Sequence, residues 1–245
     1  MKPLEKAKFI SNWIKNYTEM MPSKAESLII GISGGIDSSV SSTLSAMTGL
    51  KTIVISMPIK QKKSQHDLSL KHQEWLVKNF DNVEAQTINL DRLFETFENT
   101  LSKFDSELGL ANSRARLRMT TLYQVAAANK GIVVGTGNKI EDFGVGFYTK
   151  YGDGGVDISP IADCNKSEVW EIGKSINILQ EIIDAAPTDG LWDDGRTDEG
   201  QLGLKYAELE EAMINVNSIN REKYEKIRKM NLHKMEPIPV CKIPN

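Results

Sequence analysis

Residues 31–39 read Gly31-Ile32-Ser33-Gly34-Gly35-Ile36-Asp37-Ser38-Ser39, a set of residue types suited to gripping a chain of phosphates. Glycine lets the backbone turn tightly and approach a ligand with no Cβ in the way. The freed amides, followed by a helix N-terminus, form a nest for phosphate oxygens. Ser33, Ser38 and Ser39 add hydroxyl donors. Asp37 has the wrong charge to hold phosphate itself, so its expected role is to share a Mg2+ ion with it. No Gly-Lys-Ser/Thr follows, and the spacing is not that of the dinucleotide GxGxxG motif. The competing structural reading is a Ser/Gly turn with Asp37 capping a helix. A strand before the turn and a helix after it favour the phosphate loop.

Further along, Asn112-Ser113-Arg114-Ala115-Arg116-Leu117-Arg118-Met119 sets arginines at i, i+2 and i+4. Arg114 and Arg118 share a helix face while Arg116 points elsewhere and is the candidate clamp for a phosphate or carboxylate. Gly135-Thr136-Gly137-Asn138-Lys139-Ile140-Glu141 follows an apolar run. Ligands of open α/β sheets bind outside the carboxyl ends of the strands, so this loop is expected to face the 31–39 loop; Glu141 is then a candidate second Mg2+ ligand, against the plainer reading of a solvated acidic residue in a loop. Other candidates have plainer readings. Lys60, Lys62 and Lys63 form a basic cluster that is a solvated loop or a cover over triphosphate. His66 and His72 lie in a polar helical stretch and are expected to be exposed. Trp13, Trp75 and Trp170 have core spacing, Trp192 sits in an Asp-rich loop where it could pack on a ligand, and Cys164 and Cys241 read as structural.

The elements that must position these residues alternate between short β-branched runs and helical patterns, the rhythm of a parallel sheet covered on both faces. Strands are expected at 28–32, 52–57, 85–90 and 132–136. Helices are expected at 65–80, 91–104, 112–129, 166–176 and 178–185, with two more over 203–231 and a polar loop at 187–203. Seven glycines fall within 135–160, and Gly131 just upstream makes eight. Such a stretch is either disordered or functional, and the aromatics Phe143, Phe147, Tyr148 and Tyr151 favour function. With no internal repeat or low-complexity linker, one domain is expected over 1–245.

The 31–39 segment resembles the SGGxDS signature of the ATP pyrophosphatase family, which cleaves ATP between its α and β phosphates. That family includes NAD, GMP, asparagine and argininosuccinate synthetases and some tRNA-modifying enzymes. Gly146-Phe147-Tyr148-Thr149-Lys150-Tyr151-Gly152-Asp153-Gly154-Gly155-Val156-Asp157-Ile158-Ser159-Pro160 is similar to the GYxTKYGDGGxDIxP signature of bacterial NAD synthetases. The segments 114–119, 135–141, 165–169, 186–192 and 197–199, with His233 and Lys234, fall in the same order as in those enzymes.

The resemblance implies a Rossmann-like ATP pyrophosphatase fold: a three-layer open parallel sheet with helices on both faces and flavodoxin-like strand order. It implies ATP contacts from every residue of the loop Gly31 to Ser39 and from Met57, Thr136, Lys166 and Thr188. Asp37 and Glu141 would hold Mg2+. Arg116, Lys150, Asp157, His233 and Lys234 would contact deamido-NAD (nicotinic acid adenine dinucleotide). Catalytic roles fall to Asp37, Lys150 and Asp153, with Asp153 or Asp157 helping to deprotonate ammonium. Members are homodimers with the dinucleotide site across the interface. The implied reaction is ATP-dependent amidation of deamido-NAD through an acyl-adenylate, giving NAD, AMP and pyrophosphate. Departures occur at Ile140, at Gly200 and at 142–145, which is one residue longer than in some bacterial relatives.

Composition narrows the field. A net charge of −3 and a pI near 5.8 give no footprint for a nucleic-acid partner, which speaks against a tRNA-modifying enzyme. The two cysteines lack metal-site spacing and fit a reducing, cytoplasmic setting. No run approaches a membrane span, and the amphipathic N-terminus is not a signal peptide. A glutamine-hydrolysing version needs an amidotransferase domain for which 245 residues leave no room, so free ammonia, or ammonia from a separate chain, is expected. The alternatives are another amidating or thiolating ATP pyrophosphatase and a non-catalytic nucleotide-binding module.

Overall fold

The computed structural model describes residues 1–61, 63–188, 190–192 and 196–244. Strands β1 (Ser27–Gly31), β2 (Lys51–Ser56), β3 (Val83–Thr87) and β4 (Gly131–Val133) form one parallel sheet in the order β3-β2-β1-β4. The helices are α1 (Pro3–Met20), α2 (Ile36–Ala46), α3 (Lys63–Asn79), α4 (Asp91–Thr100), α5 (Glu107–Ala128), α6 (Lys166–Ser175), α7 (Gln180–Ile183), α8 (Asp198–Leu202), α9 (Tyr206–Ile214) and α10 (Arg221–Met235).

Side chains alternate across a strand, so a strand covered on both faces needs consecutive apolar residues, which Leu28 to Ile30 of β1, Ile53 to Ile55 of β2 and Ile132 to Val133 of β4 supply. Leu28 and Ile30 of β1 and Val54 of β2 point into a core with Ile10 and Ile14 of α1, Val40 and Leu44 of α2 and Ile172 of α6. Ile29, Ile53, Ile55 and Val133 face the other way, onto Phe94 of α4 and Met119, Leu122 and Ala126 of α5. This is the expected three-layer arrangement. Its strand order is not flavodoxin-like: β3 lies outside β2, at the sheet edge, and the chain crosses back to place β4 beside β1. The physical reason lies in composition. β3 reads Val-Glu-Ala-Gln-Thr and is half-exposed or exposed along its length, tolerable at an edge and costly in the middle of a covered sheet.

A third, smaller core sits beyond the sheet. Ile140 and Val145 pack there with Tyr206 and Leu209 of α9 and Tyr224 of α10. Boundaries also shift. The third strand ends before Leu90, which caps α4 and lies buried against it with its N–H donating to the Pro58 carbonyl at 3.0 Å. Helix α5 starts at Glu107, because Ser106 accepts from the Gly109 N–H at 3.1 Å. The helix expected at 178–185 contracts to α7, since Asn177 takes a left-handed backbone (φ 60°) and Ile178 drops into the core. The polar stretch at 187–203 contains α8, capped by Thr197.

Two sequence expectations fail on burial. His72 is fully buried rather than exposed, stacked on Trp75 at 5.7 Å with Nε2 3.0 Å from the Ser42 hydroxyl, and His66 is half-buried beside Ser56. Helix α3 covers the sheet, so its inward positions are occupied even where they carry polar residues. Trp13 is exposed, paired with Tyr17 on the outer face of α1, because α1 sends Ile10 and Ile14 inward instead.

Candidate functional site

At the carboxyl ends of β1, β2 and β4 lies a cleft of about 420 Å³. One wall is the 31–38 loop, another is 134–137, and Met57, Lys166 and residues 185–188 complete it. The loop takes its shape from glycine and serine. Gly34 has φ +89°, a left-handed backbone that a side chain would strain. The Ser38 hydroxyl donates to the Gly35 carbonyl at 3.0 Å and accepts from the Ser33 N–H at 3.2 Å. That leaves the Ser33 hydroxyl to donate to Ser38 at 3.0 Å and to accept from the Gly35 N–H at 3.2 Å. Ser39 differs: it is fully buried outside the cleft lining, its hydroxyl donating to the Gly35 carbonyl at 2.9 Å.

Deep in the cleft, two carboxylates share one cation. Lys166, buried at the start of α6, donates to Asp37 Oδ2 and to Glu141 Oε1, the latter at 3.0 Å. Glu141 rides on a π-helical turn, Lys139–Val145, that ends at Gly146 with φ +66°. A π turn holds one more residue between hydrogen-bonded partners than an α turn. Asn138 caps this turn. Its Oδ1 accepts from the N–H groups of Ile140 and Glu141, both at 3.1 Å, while its Nδ2 donates to Asp37 Oδ1 at 3.1 Å. Tyr206, from α9, donates its hydroxyl to Glu141 Oε1 and lies 3.2 Å from Asp198 Oδ2.

One ammonium between two half-buried carboxylates leaves a negative charge uncompensated. Burial raises the Asp37 carboxyl above its usual range against the pull of Lys166, with Glu141 adding to the rise. For Lys166 burial opposes the charge, but Asp37 and Glu141 outweigh it and hold the ammonium above its ordinary value. Asp142, half-buried on the cleft wall, is pushed up to about 8 by burial and by Glu141, Asp153 and Asp37. Asp153 lines the cleft with its side chain open to solvent at one side; desolvation by the protein on the other lifts its carboxyl to about 6, although its Oδ1 accepts from the Thr149 N–H at 3.0 Å.

This donor set suits Mg2+. The ion is commonly held by one or two carboxylates plus phosphate oxygens, and Asp37 and Glu141 already converge on a single cation. Among the described residues no group of three or more His, Cys, Asp or Glu side chains could hold a metal by itself. The pair therefore fits an ion that arrives with phosphate rather than one in an all-protein cage.

Thr136 and Thr188 line the cleft, while Asp189 and Lys62 lie outside the described residues. Arg118, not Arg116, is the arginine on the cleft wall, donating to the Met57 carbonyl at 3.0 Å. Arg114 is buried with its guanidinium 4.9 Å over Phe94, and it donates to the Leu191 carbonyl at 2.7 Å, holding the 186–192 segment against the cleft. Lys60 pairs with Glu98 at 2.7 Å, and Arg196 stacks on Trp192 at 4.1 Å.

The residues expected at the dinucleotide gather outside the cleft, around the 148–157 loop. Exposed Arg116 donates to the Lys150 carbonyl at 3.3 Å, and Lys150 donates to the His233 carbonyl at 3.1 Å. Lys234 donates to the Tyr148 carbonyl at 2.8 Å, and burial lowers its pKa. Asp157 lies on the other flank, accepting from the Val133 N–H at 2.7 Å and the Tyr123 hydroxyl at 3.1 Å. Burial and Asp157 together push that phenol up to about 12. Between α5 and this loop runs a second, open hollow lined by Thr120, Tyr123, Tyr151 and Val156.

Sequence reasoning passed over Asn138, Tyr206, Asp142 and Asp198. For Asn138 a signal existed, since Asn three residues before Glu is a capping pattern. Tyr206 and Asp198 reach the site only through tertiary packing, which no local pattern announces. Among the described residues no helix is long and apolar enough to cross a membrane.

Comparison with known proteins points the same way as this geometry. The family model described as NAD synthase matches residues 7–243. The NH3-dependent NAD+ synthetase of Carboxydothermus hydrogenoformans is 36% identical over 216 residues, covering 86% of this chain and 85% of that protein. Its counterpart in Alkaliphilus metalliredigens is 35% identical over 242 residues, covering 93% and 94%. Among solved structures, the NMN synthetase from Francisella tularensis superposes with a TM-score of 0.88 at 33% identity, covering 100% of this chain and 99% of that one.

Proposed function

The chain belongs to the NAD synthase family, and on that footing we propose that it amidates deamido-NAD with ammonia, converting ATP to AMP and pyrophosphate. The observation that carries this reading is the convergence of Asp37 and Glu141 on one buried cation beside the glycine-serine loop.

A carboxylate repels nucleophiles and lacks a leaving group, so it must be activated. The nicotinate oxygen attacks the α-phosphorus of ATP and pyrophosphate departs. Ammonia then attacks the acyl carbon, AMP leaves with the bonding electrons of the C–O bond, and the nitrogen sheds a proton. The 31–38 amides and hydroxyls cradle the pyrophosphate, Lys166 moves between the carboxylates and the phosphates, and Thr136, Thr188 and Met57 bound the ATP site. Asp37 and Glu141 would hold Mg2+, which would supply charge neutralisation for the pyrophosphate. Asp153, lifted to about 6, is the better proton acceptor near neutral pH, because both oxygens of Asp157 are already engaged. Arg116, Lys150, His233 and Lys234 bind the dinucleotide beside the hollow between α5 and the 148–157 loop. That open surface suits a homodimer interface that completes the site, and the enzyme works in the cytoplasm as one synthetase domain with ammonia as its nitrogen source.

A second reading changes only the acid. The likeness to the Francisella enzyme over the whole chain favours nicotinic acid mononucleotide as substrate and NMN as product. One assay decides: purified protein with ATP, Mg2+ and ammonium receives either acid, and amide and AMP are quantified. Amide from deamido-NAD at much the higher kcat/KM is the expected result. Preference for the mononucleotide selects the second reading, and AMP release without either amide refutes both.

A further inference from the structure

Asp37 and Glu141 lie on different elements, one on α2 and one on the π-helical turn, and carry like charges; Lys166 bridges them here, but in the proposed reaction it turns to the phosphates, so other groups must keep the pair together. We propose that Tyr206 and Asn138 are positioning residues that hold these carboxylates as a pair. The inference rests on the reading of Asp37 and Glu141 as Mg2+ ligands.

The two braces act from opposite sides. Asn138 is fully buried and uses both ends of its amide: Oδ1 fixes the first turn beneath Glu141, and Nδ2 holds Asp37. One side chain thus sets the spacing between the two acids. Tyr206, buried at the start of α9, has a single hydroxyl proton and two acceptors in reach; the Glu141 oxygen is the nearer, so the proton goes there. The same hydroxyl touches Asp198, whose N–H donates to the Pro187 carbonyl at 3.1 Å. Glu141 is thereby tied to the segment that carries Thr188. Neither brace touches the reacting atoms. Each acts through the carboxylate it holds, and loss of such outer partners typically costs about 10- to 100-fold in metal affinity or activity.

Tyr206→Phe removes only the hydroxyl. The ring keeps its edge contact with Trp170 at 6.2 Å and its place 4.6 Å from the Lys166 ammonium. Asn138→Ser retains a residue able to cap the turn but cannot span to Asp37. Mn2+ binding is titrated by electron paramagnetic resonance on wild type and both variants with α,β-methylene-ATP present, alongside thermal denaturation and the Mg2+ dependence of AMP release. The expected result is Mn2+ affinity weakened about tenfold or more in each folded variant, with a matching rise in the Mg2+ needed for half-maximal rate. Affinity within twofold of wild type in Tyr206→Phe overturns the proposal, even if Tm falls, and that variant decides alone if Asn138→Ser does not fold. No Mn2+ binding by the wild-type complex would overturn the metal reading and the proposal with it.

Discussion

Acidification should destabilise this protein through His72. Its imidazole is fully buried, stacked on Trp75, with Nε2 3.0 Å from the Ser42 hydroxyl. That hydroxyl donates to the Ser39 carbonyl at 3.1 Å, so Nε2 carries the proton and donates to Ser42, while Nδ1 is buried with no partner. Burial lowers the pKa from 6.5 to about 4. A depressed folded-state value means the unfolded chain takes up the proton first. The stabilisation is therefore complete above pH 6.5 and is lost as pH falls toward 4. With those two values, the loss between pH 7.5 and 5 is about 2 kcal/mol, approaching a ceiling of roughly 3 kcal/mol at lower pH. For a chain of this size that corresponds to a Tm shift of roughly 4–8 °C.

Asp142 and Asp153, both raised, act in the opposite sense, because the folded state gains their protons. The His72 contribution is thus isolated by difference. His72→Gln keeps an amide donor able to reach Ser42 and cannot charge in this range. Denaturant unfolding of both proteins at pH 7.5, 6, 5.5 and 5 should show wild type losing about 2 kcal/mol more than the variant across the series. Parallel curves, within about 0.5 kcal/mol, would refute the claim that burial alone keeps this imidazole neutral.

Asp37→Asn should reduce AMP release by about a hundredfold or more with little change in Tm, as read by coupled AMP assay and calorimetry. Gly137→Ala would set a Cβ 2.1 Å from Asp142 Oδ2; unfolding should show a loss of about 1–3 kcal/mol, and an unchanged stability would mean the Asp142 side chain swings clear at no cost. Phe94→Ala empties a fully buried site under α4 and should cost about 3–5 kcal/mol. It also removes the ring beneath Arg114, so the KM for ATP should rise, measured in the same amidation assay.

The sheet was legible because β1, β2 and β4 carry unbroken apolar runs (Leu28 to Ile30, Ile53 to Ile55, Ile132 to Val133), a pattern that a doubly covered strand needs. The glycine-serine loop at the cleft was legible because glycine, serine and aspartate in that order, between a strand and a helix, serve few other ends. The strand order was not, since whether β3 lies outside β2 or the chain doubles back depends on which edge can tolerate Glu84 and Gln86. Placement of the cations also escaped. Arg114, Arg116 and Arg118 look alike in sequence, and only the packing of α5 decides that Arg118 faces the cleft, Arg114 the 186–192 segment and Arg116 the solvent side. His72 was misread because its helix is polar overall, and burial there follows the one inward stripe rather than the average.

The wider winding at Lys139–Val145 changes which side chains keep company with Glu141. A π turn closes its hydrogen bonds over five residues rather than four, so the α-helical habit of pairing positions three or four apart does not carry over to this stretch. Ile140 and Val145, five apart, are both buried in the small core beneath it, while Glu141 looks the other way, onto Lys166.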